Sequence, residues 1–139
     1  MQFKLPLPDG ADESINLKRV LYLRDPLSFE IDEEPDVRAI VMLPGIKLYS
    51  VVELEDLVAQ MAAKIRLGAL TAPNGAVLKV HVDAVKDVDD PVSTNPPKTR
   101  SWLVFGTGPK ARRLSVKEDR DALRTIWMQL GADPSASNL

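Results

Sequence analysis

The sequence predicts an α+β fold, an antiparallel or mixed β-sheet of about five or six strands with two α-helices packed on one face. Three observations carry that expectation. Two long segments show apolar residues at helical spacing behind a serine that has a glutamate three positions on. Several short runs alternate apolar and polar residues or concentrate β-branched ones, as strands do. Pro/Gly-containing turns join those runs in pairs.

Taken in order, Lys18–Arg24 (KRVLYLR) alternates weakly and reads as a strand. Val37–Pro44 has a β-branched apolar centre, and GIKLY returns after the Pro44-Gly45 turn to make a hairpin. The first helix is expected at 51–67. Ser50 and Glu53 form a capping box, Leu54, Leu57, Val58, Met61 and Ile65 make one apolar stripe, and Gly68 ends it. Val77–Ala84 is the clearest strand. Leu78, Val80, Val82 and Ala84 point one way, and Lys79, His81 and Asp83 point to a wet face. Residues 85–99, with three prolines and three aspartates, read as a long functional loop. Arg100–Gly106 and Ala111–Ser115 form a second hairpin around GTGPKARRLS. The second helix is expected at 116–130, capped by Ser115 and Glu118, with Val116, Leu123, Ile126, Trp127 and Leu130 on one face and Gly131 as its stop. The chain thus divides into an α+β domain, residues 1–131, and a polar tail, residues 132–139, expected to fray. There is an internal echo. RAIVMLPGIKLYSVVELEDLV and RSWLVFGTGPKARRLSVKEDRDAL both read strand, turn, strand, helix, the second with three extra residues.

A chain of 139 residues makes one domain of ordinary size and can bury a core without disulfides. It has no cysteine, which fits a reducing compartment. Apolar residues are 45% and charged residues 27% of the chain, a globular composition. The net charge of −2 gives no overall attraction to nucleic acid or membrane. MQFKLPLPDG lacks the apolar core of a secretion signal, and no run approaches the ~20 residues of a bilayer span. The expectation is a soluble protein, cytoplasmic, or in a virion if of phage origin, with no membrane partner.

The stretch Gly106–Ser115 suggests phosphate binding but lacks the means. A P-loop needs G-x-x-x-x-G-K-S/T between strand and helix, and here the glycines and Lys110 stand too close. GTGPKA fits a loose dinucleotide fingerprint, yet no helix starts there. Arg112, Arg113 and Ser115 resemble a kinase substrate site, against the simpler reading of Ser115 as a helix cap. His81 is the only histidine. It could join Asp83, Asp87, Asp89 or Asp90, but zinc wants several His or Cys ligands. No serine sits in a nucleophile elbow. No catalytic residue, cofactor or metal site is therefore assigned.

Charge is distributed more tellingly. Between Asp25 and Val37 every charged residue is acidic: Asp25, Glu30, Asp32, Glu33, Glu34 and Asp36. Between Pro91 and Lys117 every one is basic: Lys98, Arg100, Lys110, Arg112, Arg113 and Lys117. Opposed runs can neutralise each other within the fold or meet between subunits, head to tail. The leading expectation is a non-enzymatic assembly or interaction protein. It would be a small homo-oligomeric subunit that binds copies of itself or partner proteins, as in a phage or mobile-element structural component. One alternative is a nucleic-acid-binding regulator using the basic hairpin 98–117, where Trp102 and Phe105 interleave the cations. A second is an enzyme using His81 and nearby aspartates.

Overall fold

Two five-residue stretches, Leu7–Ala11 (LPDGA) and Ala72–Ala76 (APNGA), are versions of one turn. In the computed structural model, which describes residues 1–139, each closes a hairpin in the same way. The Leu7 N–H donates to the Ala11 carbonyl at 2.9 Å, and the Ala72 N–H to Ala76 at 2.8 Å. The Asp9 and Asn74 side chains accept from the N–H two residues on, at 2.9 and 3.0 Å, the local bond that makes Asx residues turn formers. Gly10 and Gly75 take φ of 87° and 93°, where a side chain would be strained.

The hairpins so closed are β1 (Gln2–Pro6) with β2 (Asp12–Asn16), and β6 (Leu67–Thr71) with β7 (Val77–His81). The two hairpins lead into the same succession of elements. A 3-10 turn, Leu17–Arg19 or Val82–Ala84, leads into a single strand, β3 (Tyr22–Arg24) or β8 (Val85–Asp89). A connection comes next, the short helix α1 (Ser28–Glu33) in the first half and irregular residues 90–100 in the second. Then come a second hairpin and a helix. In the first half these are β4 (Ala39–Leu43), β5 (Ile46–Ser50) and α2 (Leu54–Met61). In the second they are β9 (Ser101–Phe105), β10 (Arg112–Val116) and α3 (Arg120–Gln129). Even a stitch between elements repeats: Val51 N–H donates to the Pro6 carbonyl at 3.3 Å, and Lys117 N–H to Thr71 at 2.8 Å. The echo visible in the sequence is the second part of a unit that occupies nearly half the chain.

The strands form antiparallel sheets in the orders β5-β4-β3-β7-β6 and β10-β9-β8, with β1-β2 apart. Pairing of β3 with β7 joins the halves, setting Tyr22 opposite Val80, Leu23 opposite Lys79 and Arg24 opposite Leu78. Neighbouring strand residues face opposite ways, so each side of the five-stranded sheet has its own core. Leu23, Ala39 and Val41 pack with Leu54, Leu57 and Met61 of α2 and with Leu5 and Ile15 of β1–β2. Leu70, Leu78 and Val80 pack with Leu103 and Phe105 of β9 and with Leu123 and Trp127 of α3.

The α+β class holds, with ten strands and three helices, and the largest sheet has five strands. The element boundaries differ. The helix expected at 51–67 is Leu54–Met61, with Glu53 at its N-cap. Ser50 instead ends β5 and donates its hydroxyl to the Pro6 carbonyl at 2.8 Å. Helix-forming residues run on to Ile65, but Leu67–Thr71 is a strand because it pairs residue by residue with Val77–His81. Gly68 therefore stops no helix. It lies inside β6 beneath α3, where a Cβ would come within 3.1 Å of Ile126 and 3.3 Å of Leu130, so its lack of a side chain lets the helix approach.

The helix expected at 116–130 is Arg120–Gln129. Ser115 belongs to β10, opposite Trp102, and Glu118 accepts from the Thr71 N–H at 2.9 Å. The cap is Asp119, which accepts from Ala122 N–H at 2.9 Å. Asp119→Ala is thus expected to cost about 1 kcal/mol in a urea melt, and Ser115→Ala to leave the helix end untouched.

Other segments also depart from expectation. The strand at 18–24 is reduced to Tyr22–Arg24, and the loop at 85–99 opens with β8. Val77–Ala84 leaves strand geometry after His81, so the alternation fails there, and His81 is 5% exposed rather than wet. The residues after Gly131, expected as a polar tail, pack against the domain. Pro134–Ser137 is a 3-10 turn whose buried Ser137 hydroxyl accepts from the Trp127 indole at 3.1 Å and donates to the Val85 carbonyl at 2.8 Å.

Candidate interaction cleft

The β4–β5 and β9–β10 hairpins hold matching places in the two halves, and a cleft of about 260 Å³ lies between them. Its floor is apolar, with Tyr22, Met42 and Phe105. The Tyr22 and Phe105 rings lie 6.2 Å apart. Burial raises the Tyr22 phenol above its ordinary pKa, against the pull of Arg24. The rim carries Ile46 and Lys47 at the start of β5 and Arg112 and Arg113 at the start of β10. A short turn at Pro44-Gly45 and a longer one across Gly106–Ala111 set these strand starts at the mouth.

Lys47 ties the cleft to α1. Its ammonium lies 2.8 Å from Glu30 and over the rings of Phe29 (5.1 Å) and Tyr49 (5.3 Å). Its bond to Glu30 holds its pKa above the ordinary value. Glu30 has no exposed surface. Arg24 grips both its oxygens at 2.6 and 2.9 Å, and the Leu27 N–H donates to it at 2.8 Å. Burial opposes its ionisation, but the bonds from Arg24, Leu27 and Lys47 outweigh burial and hold the carboxyl at about 2 against an ordinary 4.5. The short helix α1 is thus anchored through one buried charge, and its other side chains turn outward. Leu27, Phe29 and Ile31 are exposed, as is Ile46 nearby, with Phe29 and Ile46 each half exposed.

The structure divides the expected basic surface. Arg112 and Arg113 reach the cleft, and Lys110 lines an adjoining hollow with Arg112. Arg113 also stacks on the Trp102 ring at 5.0 Å. Lys98, Arg100 and Lys117 lie at the other end of the β9–β10 hairpin, a strand's length of roughly 17 Å away. All six cations are exposed, and none takes part in an intramolecular ion pair. The acidic run is also divided. Glu30 is buried and spent inside the fold, and Glu33 accepts from the Tyr49 hydroxyl at 2.8 Å. Asp25, Asp32, Glu34 and Asp36 have no cationic partner. Lys47 lies outside both charge runs, and only the pairing of β4 with β5 brings it to Glu30.

His81 and Asp83 border a separate cleft, while Asp87 and Asp89 line a hollow with Arg113 beside β8. Burial, then Asp87 beside it, raises the Asp89 carboxyl above its ordinary value. No three metal-binding side chains gather anywhere, and no helix is long and apolar enough to cross a membrane. No family model, curated protein or solved structure matches the chain.

Proposed function

We propose that this chain is a non-enzymatic assembly protein and that the cleft beside Lys47 docks a second copy of itself. The observation that carries the reading is the opposition of two walls across one cleft. One wall is the start of β5, where Lys47 bonds Glu30 of α1, and beside it α1 carries exposed Leu27, Phe29 and Ile31 and the unpartnered Asp32 and Glu34. The other is the start of β10, with unpartnered Arg112 and Arg113. A surface with opposite charges side by side is complementary to itself after a twofold rotation, the commonest symmetry of homo-oligomers. This replaces a head-to-tail contact with a closed one. Exposed ion pairs contribute only about 0–1 kcal/mol each, so they orient the encounter and the apolar side chains supply the adhesion. The same surface suits a subunit of a larger assembly, cytoplasmic or within a phage particle.

Sedimentation tests the reading. Wild-type protein should dimerise, and more weakly as salt rises. A twofold makes every contact twice, so Arg112→Glu with Arg113→Glu should weaken the dimer by about tenfold or more and leave the monomer folded. Adding Asp32→Lys and Glu34→Lys in the same chain should restore part of the loss. A wild type that stays monomeric at about 100 μM, weaker than most specific interfaces, overturns the proposal. Tight, salt-dependent retention of DNA by that monomer would put nucleic-acid binding in its place.

A further inference from the structure

A second cleft, of about 460 Å³, opens where the first 3-10 turn meets the end of β7. Lys18 comes from that turn, Lys64 and Arg66 from the link between α2 and β6, His81 from the end of β7, and Asp83 from the second 3-10 turn. The tandem architecture makes the site: the 3-10 turn of each half contributes one residue, so it forms only when the halves are joined.

The side chain that singles out this cleft is His81. Its Nδ1 lies 2.7 Å from the Val20 carbonyl, deep in the protein. A carbonyl can only accept, so Nδ1 carries the proton and donates. Nε2 has no partner in the chain, and no buried side-chain nitrogen is left unpaired. Nε2 therefore reaches solvent, and the cleft is where the ring is exposed. At the matching place in the first half stands Asn16, whose side chain closes a local turn by accepting from the Lys18 N–H at 3.1 Å. Only the second half holds a ring with one nitrogen fixed inward and the other presented to a ligand.

The surroundings decide what ligand that is. Three cationic side chains face one carboxylate. Arg66 holds Asp83 at 3.1 Å through one nitrogen, which leaves the rest of its fork free. Lys18 and Lys64 are exposed and without ion-pair partners. We propose that this cleft binds a phosphomonoester dianion. A carboxylate offers two oxygens, too few for two ammonium groups, a guanidinium and an imidazole. A phosphomonoester offers three terminal oxygens and close to two charges at neutral pH, and it can share a proton with Nε2. Ile65 and Met1 also border the cleft, where they would meet an organic group carried by the phosphate.

The lone histidine makes the test direct, because its imidazole NMR signals need no assignment. Inorganic phosphate is titrated into the full chain at pH 7 and constant ionic strength. The expected result is a saturable shift of the His81 ring signals with a dissociation constant in the low-millimolar range. Lys18→Ala with Lys64→Ala, both at exposed positions, should weaken it at least about tenfold, the usual effect of losing charge-assisted bonds. In His81→Asn the amide N–H can replace Nδ1–H toward Val20 while Nε2 is lost. That variant should fold and fail to bind, read by phosphorus NMR. A sugar phosphate should bind more tightly than phosphate, and dimethyl phosphate, a diester, should not compete. A non-saturating shift, an undiminished shift in the double-lysine variant, or equal binding of the diester would overturn the proposal.

Discussion

Replacing Glu30 by alanine should destabilise the protein by about 3–5 kcal/mol, the usual result of removing one partner from a buried ion pair. Arg24 and Lys47 would then face the same site with no anion, and α1 would lose the bond at its start. The pH dependence gives a second reading. The folded carboxyl titrates at about 2 and an ordinary one at 4.5. A depressed pKa adds stability that is complete above the unfolded value and is lost as pH falls through the folded one. Two and a half units correspond to about 3 kcal/mol. Urea melts between pH 6 and pH 2 should therefore show wild-type stability falling below about pH 4.5 more steeply than that of Glu30→Gln, which has no charge to lose. Parallel curves for the two proteins would mean that Glu30 does not hold its ion pairs in solution.

Trp127→Ala should cost a similar amount, about 3–5 kcal/mol, because it opens a large cavity in a packed core. Trp127 is 1% exposed and joins α3 to the five-stranded sheet, to β9 and to the turn at Pro134–Ser137. Ser137→Ala is the companion measurement. It removes the acceptor of a buried indole N–H and should cost about 1–3 kcal/mol. In the double variant the losses should fall short of additive, since both substitutions break one contact. Strict additivity in chemical melts would mean that the turn does not rest on Trp127.

In the sequence Glu30 is one of six acidic residues in a run and Ser137 part of a polar tail, with nothing to mark either as buried, whereas the local signals around them are legible: the Pro44-Gly45 and Gly106–Ala111 turns, the β-branched strands and the apolar stripes of α2 and α3. The helix ends differ from expectation for a physical reason. Ser50 and Ser115 each precede a good helical run, but each is the last or next-to-last residue of a strand, and sheet pairing takes precedence over capping. The expected helix runs to residue 67 with Gly68 as its stop, and the strand Leu67–Thr71 has no signal of its own, because its pairing with β7 decides it. A usable signal lies close by. Asp9-Gly10 and Asn74-Gly75 are strong hairpin markers, and their matching settings announce β1–β2 and β6–β7 as copies. The cleft is half visible. Arg112 and Arg113 stand out as a charged pair, whereas Lys47 and Glu30 acquire meaning only through contacts made across the sheet. The inward turn of His81 is invisible, because it depends on where the chain leaves strand geometry for the 3-10 turn at Val82.

The two halves differ most in how β3 and β8 are flanked. On its side away from β4, β3 is bonded to β7. The corresponding side of β8 meets no strand. There Ser137 donates to the Val85 carbonyl, Asn138 to the Asp87 side chain at 3.2 Å, and Arg120 to the carbonyls of Val88 and Asn138. At the opposite extreme, β2 pairs only with β1 and so has an unoccupied side of the kind that β7 offers to β3. The turn at Pro134–Ser137 thus covers in β8 the kind of strand edge that β2 leaves bare, and a bare edge is a template for pairing with a further strand.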